Sequence, residues 1–323
     1  MPTHLQRETP IVDFGAHIVP EEYVPDSMQR LDSIIGPIHN DPDLIHARYT
    51  EVGIDRIVLS QPPYMGHGDA NSVAKSNDGL CDIINDHDDF YGLAAIPTAA
   101  GGEIAANEFE RCLNNGLHGG ALETMSDGIE LIDNEVEPIF RVAEKYDAPI
   151  LVHPKIHMSL HDEVDVLSDK YQLNATLGRE VALSESIFKL IHGGVLETFP
   201  DLNLVFHHLG GNIASMLGRI HVYHDIERWP GQEEIKSFTE FKRELENRIY
   251  LDSSGFWGYP GPIRTTLEEF PASQVLLGTD SPYEPRSADE LHQYVKSIID
   301  VTSETDADSV LGENALDLLA NVS

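Results

Sequence analysis

Cysteine is scarce, long apolar runs are missing and basic residues are few, and each shortage removes a class of protein. The 323 residues include two cysteines, Cys81 and Cys112, too few for a disulfide framework or a cysteine-rich zinc site. No stretch approaches the ~20 apolar residues of a membrane span. Residues 1–10 are polar and lack the apolar centre of a secretory signal. Lys and Arg total 21 against 55 Asp and Glu, for a formal net charge of −34. Such a surface repels phosphates and no basic cluster offsets it, so nucleic acid is not expected as a partner, nor is a membrane. Neither G-x-G-x-x-G nor G-x-x-x-x-G-K-[ST] follows an apolar run, which argues against a nucleotide-binding sheet. No internal repeat, low-complexity tract or linker divides the chain. What is left is a reduced, cytoplasmic, soluble protein, read as one domain over residues 1–323, with 41% hydrophobic residues to build its core.

The acidic excess is scattered through Asp86, Asp88, Asp89, Glu103, Glu108, Glu233, Glu234, Asp306 and Asp308, with only 8 Lys beside 13 Arg. A diffuse acidic coat that spares the hydrophobic segments points to a halophilic source, where salt screens the self-repulsion.

Apolar runs of strand length alternate with longer amphipathic stretches. Strands are predicted at 11–19, 55–60, 91–97, 119–123, 149–153, 202–208, 248–253 and 274–279, most of them followed by a helical pattern. Strands separated by helices pair in parallel through crossovers, and continuous apolar runs such as LVFHH and QVLLGT suit strands buried on both faces. Eight such units predict an α/β fold, a (β/α)8 TIM barrel with insertions near 20–40 and 155–174 at its C-terminal face. A doubly wound open sheet is the competing architecture.

In a barrel, catalytic residues close the C-terminal ends of strands. Those ends carry His17, Gln61, Glu123, His153, His208, Ser253 and Asp280. One polar residue closing a strand is ordinary, because the chain is leaving the core. Three histidines and an aspartate closing four strands converge on one mouth, within reach of a single ion of zinc, manganese or iron.

These segments resemble the amidohydrolase superfamily. The match is to amidohydrolase family 2, whose members include aminocarboxymuconate-semialdehyde decarboxylase and the resorcylate-type decarboxylases. The segments that carry it run in order: VDFGAHIVP, FYGLAAIPT, NNGLHGGALET, LIDNEVEPIF, APILVHP, FPDLNLVFHHLGGNIASMLGRI, YLDSSGF, LLGTDSPY and LGENALDLL. The resemblance implies one divalent metal ion, zinc first with manganese or iron as alternatives, held by His17, His153 and Asp280. It implies a catalytic role for His208, and for Asp280 as ligand and proton carrier together. His207, next to His208 on a strand, is expected to point the other way and to be structural. A homodimer acting on a small-molecule substrate is the default expectation.

One departure stands out. The resemblance puts a metal-binding histidine at position 15, where this chain has Gly15. Asp13 shares the strand face but is about 13 Å from His17 at ~3.3 Å per residue, too far to replace it. Three readings stay open: water or His208 fills the gap, a loop residue such as His157 or His161 substitutes, or the metal is lost. Gly15→His is expected to restore affinity. A second departure concerns an arginine that holds a substrate carboxylate in the muconate enzyme; the corresponding position is Ala47, with Arg48 beside it read as a surface residue. Lys155 and Arg179 are the other cationic candidates for substrate binding. The residues thus fit a metal-dependent decarboxylase or hydrolase of a small carboxylated cyclic or unsaturated substrate. A metal-free barrel that binds or regulates is the alternative that Gly15 keeps open.

Overall fold

A computed structural model of the protein describes residues 5, 7–25, 36–155, 170–225, 231–285 and 287–322. Eight parallel strands form the centre: β1 (Val12–His17), β2 (Arg56–Ser60), β3, in two pieces (Phe90–Gly92 and Ala94–Ala95), β4 (Gly120–Glu123), β5 (Ile150–His153), β6 (Leu204–Phe206), β7 (Ile249–Asp252) and β8 (Val275–Leu276). β1 pairs with β2 and β2 with the first piece of β3; the second piece continues through β4, β5, β6 and β7 to β8. Backbone bonds join the ends: Phe14 N–H donates to Leu277 C=O (2.8 Å), Asp280 N–H to Gly15 C=O (2.8 Å) and His17 N–H to Ser281 C=O (2.9 Å). The sheet therefore closes on itself, and the predicted barrel is the fold.

Helices fill the crossovers. In order they are α1 (Pro42–Val52), α2 (Ala70–Asp86), α3 (Gly102–Asn114), α4 (Glu137–Tyr146), α5 (Arg179–His192), the short α6 (Val195–Thr198), α7 (Ile213–Asp225), α8 (Phe238–Arg248), α9 (Pro260–Glu269), α10 (Ala288–Ile299), the short α11 (Glu304–Asp308) and α12 (Asn314–Ala320). Local chemistry sets several boundaries. The Asp41 and Asp69 side chains cap the free N–H groups that open α1 and α2, and Gly53 ends α1 in the left-handed conformation. Ser237 and Glu240 form a reciprocal capping box on α8.

Two apolar layers follow from strand alternation. Val12, Phe14, Val58, Leu93, Ala121, Leu151, Val205 and Leu276 make one cluster, with Leu318 and Leu319 of α12 against it. The opposite faces of the same strands (Ile57, Leu59, Leu122, Ile150, Val152, Leu204, Phe206, Leu251) pack on the helices. Both faces are fully buried, which is why these strands read as unbroken apolar runs. Of the expected insertions, residues 26–35 and 156–169 lie outside the described residues, and His157 and His161 with them.

Candidate metal centre and active site

Of the three predicted ligands, His17 stands against each of the other two. His17 ends β1, His153 ends β5, and Asp280 follows β8 in a left-handed conformation (φ 56°). Asp280 Oδ1 stands 3.0 Å from His17 Nε2. That nitrogen is buried, and although the two atoms are close their alignment is not that of a hydrogen bond. The His17 and His153 rings meet edge to face at 5.4 Å between centroids. His17 Nδ1 lies 2.8 Å from the Ser60 hydroxyl, and His153 Nδ1 donates to the Pro154 carbonyl at 2.6 Å. A proton on His153 Nδ1 leaves the Nε2 lone pair free for a cation.

The expectation that His207 points away from the centre is overturned. One ligand atom each from His17, His153 and His207 lies within 4.8 Å of the others, and a second such group joins His207, His208 and Asp280. Both neighbouring histidines face the centre because strand alternation has already stopped. β6 ends at Phe206, and His208, Leu209, Gly210 and Gly211 all take positive φ. An imidazole at 208 in left-handed backbone swings back to the side its neighbour occupies. His207 Nδ1 bonds Asp252 Oδ2 at 2.6 Å, and Asp252 is itself fixed by Ser254.

His208 is held differently. Its Nδ1 lies 2.9 Å from Glu180 Oε1 on α5, and its Nε2 lies 3.7 Å from Asp280 Oδ2. Burial lowers its proton affinity, but the two carboxylates reverse this and raise its pKa well above the imidazole range. His153, buried among three other imidazoles, is pushed well below that range. Burial also lowers His17, against the pull of Asp280. Asp280, despite burial that opposes its charge, is held well below the carboxylate range by His17, His207 and His208. The four imidazoles thus divide: burial lowers the proton affinity of His17 and His153, while Asp252 and Asp280 raise that of His207 against its burial, and Glu180 and Asp280 raise that of His208.

The glycines after His208 make room for a neighbouring helix. A Cβ on Gly211 would overlap the Glu180 carbonyl, and one on Gly210 would lie 2.8 Å from Ile187 and 2.9 Å from Leu251. They admit the start of α5, and so bring Glu180 to His208, rather than leaving backbone open to a substrate. Asp13 is also engaged elsewhere: it accepts from Gly15 N–H and Thr279 N–H at 3.0 Å and from the Tyr49 hydroxyl at 2.6 Å. A register break between Asp13 and Ala16 in the β1–β2 pairing accompanies this. Gln61 bonds Ser76 and Asn77, and the Ser253 hydroxyl bonds Gly278, so these two strand-end residues serve the fold.

Lys155 sits two residues past His153, partly buried, and Arg179 opens α5 beside Glu180. Arg48 is not the solvated residue expected: it is half-buried on α1, with Nη1 inaccessible and Glu290 of α10 nearby, in the outer helix layer away from the centre. Sequence reasoning missed Asp252, Glu180 and Tyr283, whose ring lies 5.5 Å from that of His17. Tyr283 carried a signal, since it closes the GTDSPY segment. Glu180 carried none, because it reaches the centre from a helix that no strand-end rule covers.

The sequence pattern of the amidohydrolase family matches residues 12–320. The chain is 29% identical over 287 residues to 2-amino-3-carboxymuconate-6-semialdehyde decarboxylase of Dictyostelium discoideum, covering 86% of this chain and 76% of that protein. Among solved structures it is similar to 2,6-dihydroxybenzoate decarboxylase from Rhizobium, with a TM-score of 0.80 at 20% identity over 97% and 99% of the two chains. It is also similar to a dihydroxybenzoic acid decarboxylase from Polaromonas with bound manganese and the inhibitor 2-nitroresorcinol, with a TM-score of 0.77 at 20% identity over 97% of each chain.

Proposed function

The chain belongs to the amidohydrolase family, and from that premise we propose that it is a metal-dependent carboxy-lyase. The substrate class is a small aromatic or unsaturated acid with an oxygen or nitrogen substituent beside its carboxylate. The names of its relatives, carboxy-lyases of a muconate semialdehyde and of dihydroxybenzoates, support this class. His17, His153 and Asp280 would hold the ion. The fit rests on the buried, unsatisfied His17 Nε2 and on Asp280 Oδ1 standing 3.0 Å from it without hydrogen-bond alignment. Manganese, as in the Polaromonas relative, now stands beside zinc as the ion of choice. When bound, the ion supplies Lewis-acid stabilisation of charge on the substrate's carboxylate and neighbouring oxygen.

The observation that carries the reading is His208 between Glu180 and Asp280 at the edge of the centre. Decarboxylation needs a proton delivered to the carbon that bears the carboxylate, and an imidazole flanked by two carboxylates holds one ready. His208 donates from Nε2, the ring carbon becomes tetrahedral, the bond to the carboxylate breaks, and its electron pair returns to the ring as carbon dioxide leaves. Glu180 keeps the imidazole oriented, and Asp280 passes a replacement proton from solvent. Lys155 and Arg179 are candidates to neutralise a second anionic group on the substrate.

The test offers the manganese- or zinc-loaded protein a panel of hydroxybenzoates and unsaturated semialdehyde acids, beside esters, lactones and amides. Carbon dioxide release from the first set is expected. His208→Ala is expected to lower kcat by about 10²–10⁴-fold, the usual share of an acid–base residue, with metal content unchanged. Hydrolysis of the second set without carbon dioxide from the first would overturn the reading.

A further inference from the structure

Gly15 has no side chain, and the space where one would begin is narrow. A Cβ there would lie 3.1 Å from His207 Cε1, 3.1 Å from Gly278 Cα and 3.2 Å from Asp252 Oδ2. Cε1 lies between the two ring nitrogens, so the end of the His207 ring, with its Asp252 partner, passes over position 15. A histidine at position 15 would have to share this space, so the affinity gain expected of Gly15→His requires the His207 ring to give way. We infer that His207 is a third imidazole ligand of the ion, that Asp252 sets its tautomer, and that Gly15 is the opening through which its ring reaches the centre. The inference rests on the metal-dependent reading above and extends it to residues that reading did not use.

Three observations converge. First, the His207 ring is wholly buried, yet its Nε2 has no hydrogen-bond partner among the described residues. A buried polar nitrogen without a partner is costly, and a cation between it and its neighbours removes that cost. Second, its other nitrogen is committed. Asp252 Oδ2 accepts at 2.6 Å, and Asp252 Oδ1 takes the Ser254 N–H at 3.0 Å. Carboxylate on Nδ1–H with Nε2 free is the arrangement that orients a metal-bound histidine and raises its basicity. Third, the spacing suits a shared ion. His207 Nε2 is 4.0 Å from Asp280 Oδ1, the same oxygen that stands 3.0 Å from His17 Nε2. Two ligands with ~2.0–2.2 Å bonds lie at most about 4.4 Å apart.

His208 Nε2 likewise has no hydrogen-bond partner among the described residues and lies 3.7 Å from Asp280 Oδ2, the other oxygen, but His208 stands farther from His153. Its ring centroid is 6.3 Å from that of His153, against 5.0 Å for His207.

The experiment loads the metal-free protein with cobalt(II) and counts the exchangeable, paramagnetically shifted imidazole N–H resonances by proton NMR. Three are expected, from His17, His153 and His207. His207→Gln should remove one and weaken cobalt binding at least 100-fold, while His208→Gln keeps all three and the wild-type affinity. Asp252→Asn should weaken binding about 10–100-fold, as for other partners behind a ligand. Two shifted resonances in the wild type, or three that persist in His207→Gln, would overturn the assignment of His207 and leave the metal-dependent reading intact. A wild-type protein that takes up no cobalt, zinc or manganese would overturn both. The wild-type count needs no variant, so a His207 variant that fails to fold does not decide the outcome.

Discussion

Two adjacent histidines meet different partners because the backbone turns between them. His207 leaves β6 extended, at φ −62° and ψ 161°, while His208 is left-handed at φ 52°. The turn is held by what surrounds it. Gly255 takes φ 84°, and a Cβ there would overlap Cγ and Cδ2 of His208. Gly255→Ala must therefore push the imidazole off Glu180 and Asp280 while it strains its own backbone. We expect kcat to fall by about 10²-fold, the cost of misplacing a reacting group by roughly an ångström. Stability should fall by about 1–3 kcal/mol, and bound metal should be unchanged because no ligand is touched. Activity, thermal melting and metal analysis on one preparation check this; full activity would show that His208 does not need its present position.

At the scale of elements, the barrel is stitched where its strands are shortest. β3 breaks at Leu93, and Asn77 of α2 supports the second piece. Its Nδ2 donates to the Ala95 carbonyl at 3.0 Å and to Glu108 of α3 at 2.8 Å, and its Oδ1 accepts from Ala95 N–H at 2.9 Å. One side chain thus ties a strand to two helices. Asn77→Ala leaves buried backbone and carboxylate groups unpaired and should cost at least about 2 kcal/mol, read as a lower denaturant midpoint. The kcat of the folded variant should stay at the wild-type value, since β3 supplies none of the candidate site. Asp13 plays a related part at the closure. By accepting from Gly15, Thr279 and Tyr49 it binds β1 to the segment after β8 and to α1, which holds His17 and Asp280 at a common height.

For the whole molecule, the charge of −34 is the dominant electrostatic fact. Exposed pairs such as Arg141–Glu137 and Lys296–Asp300 contribute little each and cannot offset so large an excess. Self-repulsion acts over the screening length, about 10 Å in 0.1 M salt and about 3 Å in 1 M. The melting temperature is expected to climb steeply from dilute buffer to molar potassium chloride, in step with ionic strength. A flat profile would mean that the acidic coat answers to something other than a saline surrounding. Sedimentation over the same series tests the expected homodimer. Among the described residues no helix is long and apolar enough to cross a membrane.

Strand order, helix alternation and most of the candidate site belong to the sequence alone, because they depend on local rules. Hydrophobic period marks each strand, crossover geometry makes the strands parallel, and the end of a barrel strand is where a polar side chain meets the mouth. His17, His153 and Asp280 could be named on that basis. His207 could not, since alternation predicts one inward residue of two neighbours and only a left-handed turn at His208 admits both. Nor could Glu180, whose place depends on α5 packing against two glycines far from it in the chain. The gap at Gly15 was visible in the sequence, but the His207 ring beside it was not. That answer required the β1, β6 and β7 side chains to be placed in one space, and such contacts between distant segments are decided only when the barrel closes.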